Sequence, residues 1–102
     1  MALSGHGAEM AIAAGEGGLV VRWDGVSWER LQVGIRDDVV DLWVDADHVS
    51  WLVTRNDGLY RLGRDGGLAE RVPVEGGLFS GIWGSGEHRF LVGRFGVVRR
   101  LN

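Results

Sequence analysis

Three observations predict an all-β protein assembled from units of four short antiparallel strands. Val49, Trp51 and Val53 alternate with Ser50, Leu52 and Thr54, which is the two-residue period of a strand and not that of a helix. Eighteen glycines stand against a single proline in 102 residues, a balance that suits many tight turns and no disordered tail. Finally, one pattern of strand and turn recurs about every 40 residues along the chain.

The clearest unit runs from Asp37 to Val74. Val39 to Val44 is an apolar run interrupted by Asp41, and it ends in the polar turn Asp45-Ala46-Asp47. The alternating strand follows. Arg55-Asn56-Asp57-Gly58 then turns the chain, because Asn, Asp and Gly tolerate the positive φ of tight hairpins. Leu59 to Leu62 makes a third strand, Arg64-Asp65-Gly66-Gly67 a further turn, and Leu68 to Val74 a fourth strand. Pro73 has no N–H to give to a ladder, so this last strand belongs at a sheet edge. Four antiparallel strands that end in an edge strand describe one blade of a β-propeller.

Copies flank this unit. Trp43 and Trp83 lie 40 residues apart, as do Gly18 and Gly58. Glu29-Arg30-Leu31-Gln32-Val33 matches Glu70-Arg71-Val72-Pro73-Val74 at an offset of 41. Val39-Val40-Asp41-Leu42-Trp43 corresponds to Phe79-Ser80-Gly81-Ile82-Trp83, and Phe90-Leu91-Val92-Gly93 stands for Trp51-Leu52-Val53-Thr54. Gly58-Leu59-Tyr60-Arg61 recurs as Gly18-Leu19-Val20-Val21-Arg22 and as Gly96-Val97-Val98-Arg99. The chain therefore reads as one propeller fragment with units at about 1–36, 37–77 and 78–102, the third ending after its third strand. In the first unit the strands fall near Met1–Gly5, Glu9–Ala14, Leu19–Trp23 and Ser27–Val33.

The middle unit resembles the bacterial two-component-regulator propeller repeat. That family's pattern is a Val-containing first strand, then Trp-x-Gly-Thr, then Asn-Gly-Leu-Tyr-Arg. Here the matching residues are Asp37 to Asp41 followed by Trp51-Leu52-Val53-Thr54-Arg55-Asn56-Asp57-Gly58-Leu59-Tyr60-Arg61-Leu62. The first unit, with Arg22-Trp23-Asp24-Gly25-Val26-Ser27-Trp28, is similar to a looser bacterial propeller motif in which Tyr/Trp-Asp-Gly precedes a Trp. The chain departs from the family at Val53, where Gly is preferred, and at Gly93, where Thr is preferred. The resemblance implies a sensory setting, but no stretch of this sequence corresponds to a kinase or output module.

Fewer than three complete blades cannot close a ring of roughly four to eight. A stack left open would expose an apolar sheet face at each end. The expected remedy is homo-oligomerisation. Two chains give a six-bladed ring with two-fold symmetry, or a five-bladed one if the partial units merge across the junction. The chain's first expected partner is thus itself.

Composition narrows the rest. A formal net charge of −3 argues against a general nucleic-acid surface, and the local cluster Arg89, Arg94, Arg99 and Arg100 reads as strand surface. No segment has the length or apolarity of a membrane span, and the Met1 region does not read as a signal peptide, so a cytoplasmic protein is expected. With no cysteine, disulfides and thiolate metal sites are excluded. All eleven basic residues are arginine, which fits a GC-rich coding source better than a demand for guanidinium groups.

The candidate chemistry sits in turns. His6, His48 and His88 all fall between the first and second strands of their units, beside Asp45, Asp47 and Glu87. On one face of a ring such a set would suit zinc or another divalent transition metal, and a metal-bound water could support hydrolysis. Exposed turns favour the same residues with no metal at all. Trp43, Trp51 and Trp83 sit at repeated strand positions and are expected to pack between blades, whereas Trp23 and Trp28 flank the Asp24-Gly25 turn and suit a surface pocket. The opposite face would carry Gly15-Glu16-Gly17, Arg36-Asp37-Asp38, Arg55-Asn56-Asp57, Glu75 and Arg94-Phe95, a mixed-charge mouth able to hold a small polar ligand or merely to form turns. Neither a phosphate loop nor a catalytic triad is legible. The leading expectation is an oligomeric binding or scaffold module with its ligand or partner at the ring face or central channel. The alternatives are a metal-dependent hydrolase using the turn histidines and a propeller gene fragment without a specialised function.

Overall fold

The computed structural model is all-β, with antiparallel strands in three sheets. It describes residues 2–5, 11–45, 48–64, 67–74, 79–85, 88–93 and 98–101. The first sheet holds β1 (Ala2–Gly5), β2 (Ala11–Ala14), β3 (Val20–Trp23) and β4 (Trp28–Leu31) in chain order, with a 3-10 turn at Glu16–Gly18. The second holds β5 (Val39–Val44), β6 (Ser50–Thr54), β7 (Leu59–Leu62) and β8 (Glu70–Val72). The third pairs β9 (Phe79–Ser85), β10 (His88–Gly93) and β11 (Val98–Leu101). Each strand pairs with its neighbour in sequence, so every connection within a sheet is a hairpin and none crosses over.

The sheets stack in order. β1 and β2 lie on β5, and β5 and β6 lie on β9. Strand alternation divides the residues of the middle sheet between two cores. Leu42, Leu52 and Leu62 point to the first sheet and meet Ile12, Ala14 and Val20. Trp51, Val53 and Leu59 point the other way, to Phe79, Ile82 and Leu91. Each fully buried side chain of this kind contributes roughly 1.5–3 kcal/mol of transfer free energy. The middle sheet is covered on both sides, and all five residues of β6 are buried.

Local chemistry sets the strand ends. Gly58 takes φ 106, the left-handed region that glycine enters without steric cost, and its carbonyl accepts both the backbone N–H and the hydroxyl of Thr54. Gly18 has φ 78 and lies so close to the chain at Ile35 that an added Cβ would overlap the Ile35 carbonyl. The fourth strand of the middle sheet is shorter than the expected Leu68 to Val74. The N–H of Ala69 leaves the ladder to donate to Val33 O at 2.8 Å, Leu68 is exposed, and Pro73 has no proton to offer.

Several register features coincide between sheets. β5 bulges at Val40, where its pairing with β6 jumps from Val39 to Asp41, and β9 bulges at Ser80, between Phe79 and Gly81. Arg22 stands opposite Glu29 and pairs with it at 3.5 Å, and Arg61 stands opposite Glu70 at 2.7 Å. In the third sheet Arg100 faces Phe90 as Arg61 faces Trp51, whereas matching on the glycines had aligned Arg99 with Arg61. The ladder is counted from Val98 opposite Val92, and a glycine earlier in the sequence does not fix that count.

Candidate functional site

Hairpin order sorts the connections onto two ends of the stack. At one end lies the β5–β6 turn. Asp45 N–H donates to Val49 O and His48 N–H to Asp45 O, each at 3.0 Å, which closes the turn through its backbone. The Asp45 side chain closes it a second time. Its Oδ1 accepts Val49 N–H and its Oδ2 accepts the Trp51 indole Nε1–H, both at 3.0 Å, while the residue is only 5% exposed. The side chain is tolerated at that depth because donors meet both oxygens. His48 occupies the left-handed region at φ 62, so it serves the turn geometry beside any role for its imidazole.

Of the residues expected to hold a metal, Asp45 and His48 are brought into this one turn. His6, Asp47 and Glu87 lie outside the described residues, as does the side chain of His88, whose backbone opens β10 opposite Ser85. Among the described residues no group of three or more His, Cys, Asp or Glu side chains is arranged to hold an ion.

The opposite end is a brace. Asp37 accepts the backbone N–H groups of Asp38, Asn56 and Asp57 and the Asn56 side-chain amide. Desolvation works to raise its pKa, but the donors from Asn56, Asp57 and Asp38 outweigh it and hold the carboxyl below the ordinary 3.8. Asp38 Oδ1 accepts Gly17 N–H at 2.8 Å, and its carbonyl accepts Arg55 N–H at 2.9 Å. Val39 N–H donates to Gly15 O at 3.0 Å. The Arg36-Asp37-Asp38 segment thereby ties a turn of the first sheet to a turn of the second. The Arg55–Asp38 ion pair, at 3.4 Å, is solvent-exposed and contributes little. Of the residues expected on the mixed-charge face, Gly17, Asp37, Asp38, Arg55, Asn56 and Asp57 are joined by these bonds, and Glu75, Arg94 and Phe95 lie outside the described residues.

Two grooves open near this end. One, of about 230 Å³, is lined by Asn56, Asp57, Gly58, Leu59, Arg71, Val72, Val74 and Phe79. The other, of about 210 Å³, is lined by Gly17, Gly18, Arg30 to Arg36. Both combine a β2–β3 or β6–β7 turn with an outer-strand arginine, Arg71 or Arg30, and both are smaller than the roughly 300 Å³ at which ligand clefts begin. Arg71 Nε donates to Asp57 O at 3.0 Å, which points its stem across the groove wall. Sequence reasoning passed over these two arginines as site residues. The signal was present in the match of Glu29-Arg30-Leu31 to Glu70-Arg71-Val72.

The tryptophans divide three ways. Trp51 is buried between the second and third sheets, and the ring of Trp43 lies against the backbone of Gly84, where no Cβ intervenes. Trp23 and Trp28 form a tilted pair at 5.6 Å, with Trp28 exposed. Trp83, expected between blades, is half exposed and stacks on Phe90 at 4.5 Å. The second sheet covers the other side of β9, leaving this side of the described stack uncovered.

No protein family, curated protein or solved structure matches this chain. No helix among the described residues is long and apolar enough to cross a membrane.

Proposed function

We propose that this chain is a β-propeller segment that self-associates and acts as a non-catalytic binding or scaffold module. The observation that carries the reading is the packing of the first strands: β1 lies on β5 and β5 on β9, and within each sheet the later strands follow in order, the arrangement expected of blades around a propeller axis. The shared bulges at Val40 and Ser80 and the paired Arg–Glu bridges support a repeated blade, as does the resemblance of residues 51–62 to the two-component-regulator repeat. Two copies of three sheets make a six-bladed ring, within the roughly four to eight that close.

The polar groups favour binding over catalysis. Asp37, Asp38, Asp41 and Asp45 each accept a backbone N–H and so serve the frame. The partner or ligand would meet the end of the ring that carries the grooves beside Arg30 and Arg71. Light scattering across a range of protein concentrations, followed by negative-stain images, tests the reading. A two-chain mass with ring-shaped particles is expected. A compact monomer at every concentration overturns it.

A further inference from the structure

We infer that Trp83 of one chain seats on Gly5 of a second copy, so that the third sheet of each chain packs on the first sheet of its partner. This rests on the self-associating reading above and adds the contact that closes the ring.

The pattern is already present inside one chain. Trp43 lies on the third sheet, its ring against Gly84, and a Cβ at Gly84 would collide with that ring. Trp83 occupies the register position of Trp43, opposite Phe90 as Trp43 is opposite Trp51. One blade further on, it therefore faces away from the second sheet, and it is 50% exposed. Gly5 occupies the register position of Gly84, opposite Ala11 as Gly84 is opposite Arg89. The middle sheet has Val44 at that position, opposite Ser50, and Val44 belongs to the core shared with the first sheet. Accordingly, where Val44 fills the seat, the residue at the tryptophan position of the first sheet is the small Ser4, opposite Ile12.

Within the chain, the tryptophan of the second sheet meets a glycine of the third, while a valine at the glycine's register position in the second sheet goes with a serine at the tryptophan's register position in the first. Trp83 has no glycine seat within the described stack, and Gly5 has no tryptophan. They stand on the two outward faces of the same chain, so a second copy supplies each with its complement. The neighbours agree in size. Trp83 projects beside Phe90, and the first sheet places the small, half-buried Ala11 of β2 opposite Gly5. Such a contact is heterologous and closes into a two-chain ring with two identical seams.

The test compares four forms of the 102-residue chain by light scattering, with circular dichroism to follow folding. Trp83→Ala removes the knob and Gly5→Val fills the seat. Each change strikes both seams, so each is expected to raise the dimer dissociation constant by roughly several hundred-fold, the effect of losing a buried aromatic anchor twice. The double variant Trp83→Ser/Gly5→Val installs the Ser4–Val44 arrangement at the seam and is expected to recover the two-chain mass. If either single variant fails to fold, recovery of a folded two-chain species by the double variant still supports the contact, and no recovery counts against it. A dimer that survives both single changes overturns the Trp83–Gly5 seam while leaving self-association standing. A wild-type chain that stays monomeric overturns the self-associating reading itself.

Discussion

The indole N–H of Trp51 donates to Asp45 Oδ2 at 3.0 Å across the mouth of the β5–β6 hairpin, and Asp45 Oδ1 takes the backbone N–H of Val49. A single buried carboxylate thus closes the turn and orients the ring that fills the core between the second and third sheets.

Asp45→Ala is expected to lower unfolding free energy by about 1–3 kcal/mol, since it removes the acceptor of the buried Trp51 indole N–H and of the half-buried Val49 N–H. Asp45→Asn keeps one acceptor oxygen and should cost less. Urea denaturation of both variants checks this ordering, and a loss under about 0.5 kcal/mol for the alanine variant would sink the assignment.

Gly84→Ala should cost about 1–3 kcal/mol, because its methyl group overlaps the Trp43 ring. Paired with Trp43→Ala, the same change should cost nearly nothing further. A double-mutant cycle measures the coupling, and additive losses would mean that the two residues do not meet.

Gly18→Ala is expected to cost at least about 2 kcal/mol, combining the left-handed backbone with the overlap on Ile35 O. Gly17→Ala makes the control: it has a positive φ of 65 but nothing near its would-be Cβ, so only the backbone strain remains. Equal losses at the two sites would refute the close approach.

Acid should weaken the brace. Asp37 and Asp24 both lie below the ordinary 3.8, Asp37 through the donors at Asn56, Asp57 and Asp38 against an opposing desolvation, and Asp24 through Ser27 and Val26 N–H. For a depressed carboxyl, the stabilisation is present above the unfolded value and disappears as pH falls through the folded one. The stability gap between wild type and Asp37→Asn is therefore expected to be widest near neutral pH and to shrink below 3.8. Thermal unfolding across a pH series reads it directly. A gap that stays constant into acid would remove Asp37 from the account.

The all-β class and the antiparallel strands were legible because their signals are local. The alternation at 49–54 and the turn at Arg55-Asn56-Asp57-Gly58 each act over a few residues, and β6 and β7 fall where those signals put them. Strand ends were less legible where a distant atom decided them, as Val33 O does for Ala69. The candidate site was harder for the same reason. Asp45 read as a possible co-ligand of a metal because sequence displays its charge, and the Trp51 indole that also donates to it is visible only in the fold. Trp83 read as core because it matches Trp43, yet burial depends on what lies beyond the sheet. The grooves at Arg30 and Arg71 arise only when an outer strand is set beside the turn of its own sheet and the segment that follows.

The complete burial of β6 carries a consequence for how the molecule opens. The five residues Ser50 to Thr54 sit in the middle strand pairings of the middle sheet, with a core on each side. Exposing their amides to deuterium requires both flanking layers to separate, whereas β4 frays with one edge and a solvent-facing side already free. Exchange should therefore be slowest along β6, and its rate should report the global unfolding free energy, while outer strands exchange through local openings. The strand least accessible to water would serve as the clock for the whole chain.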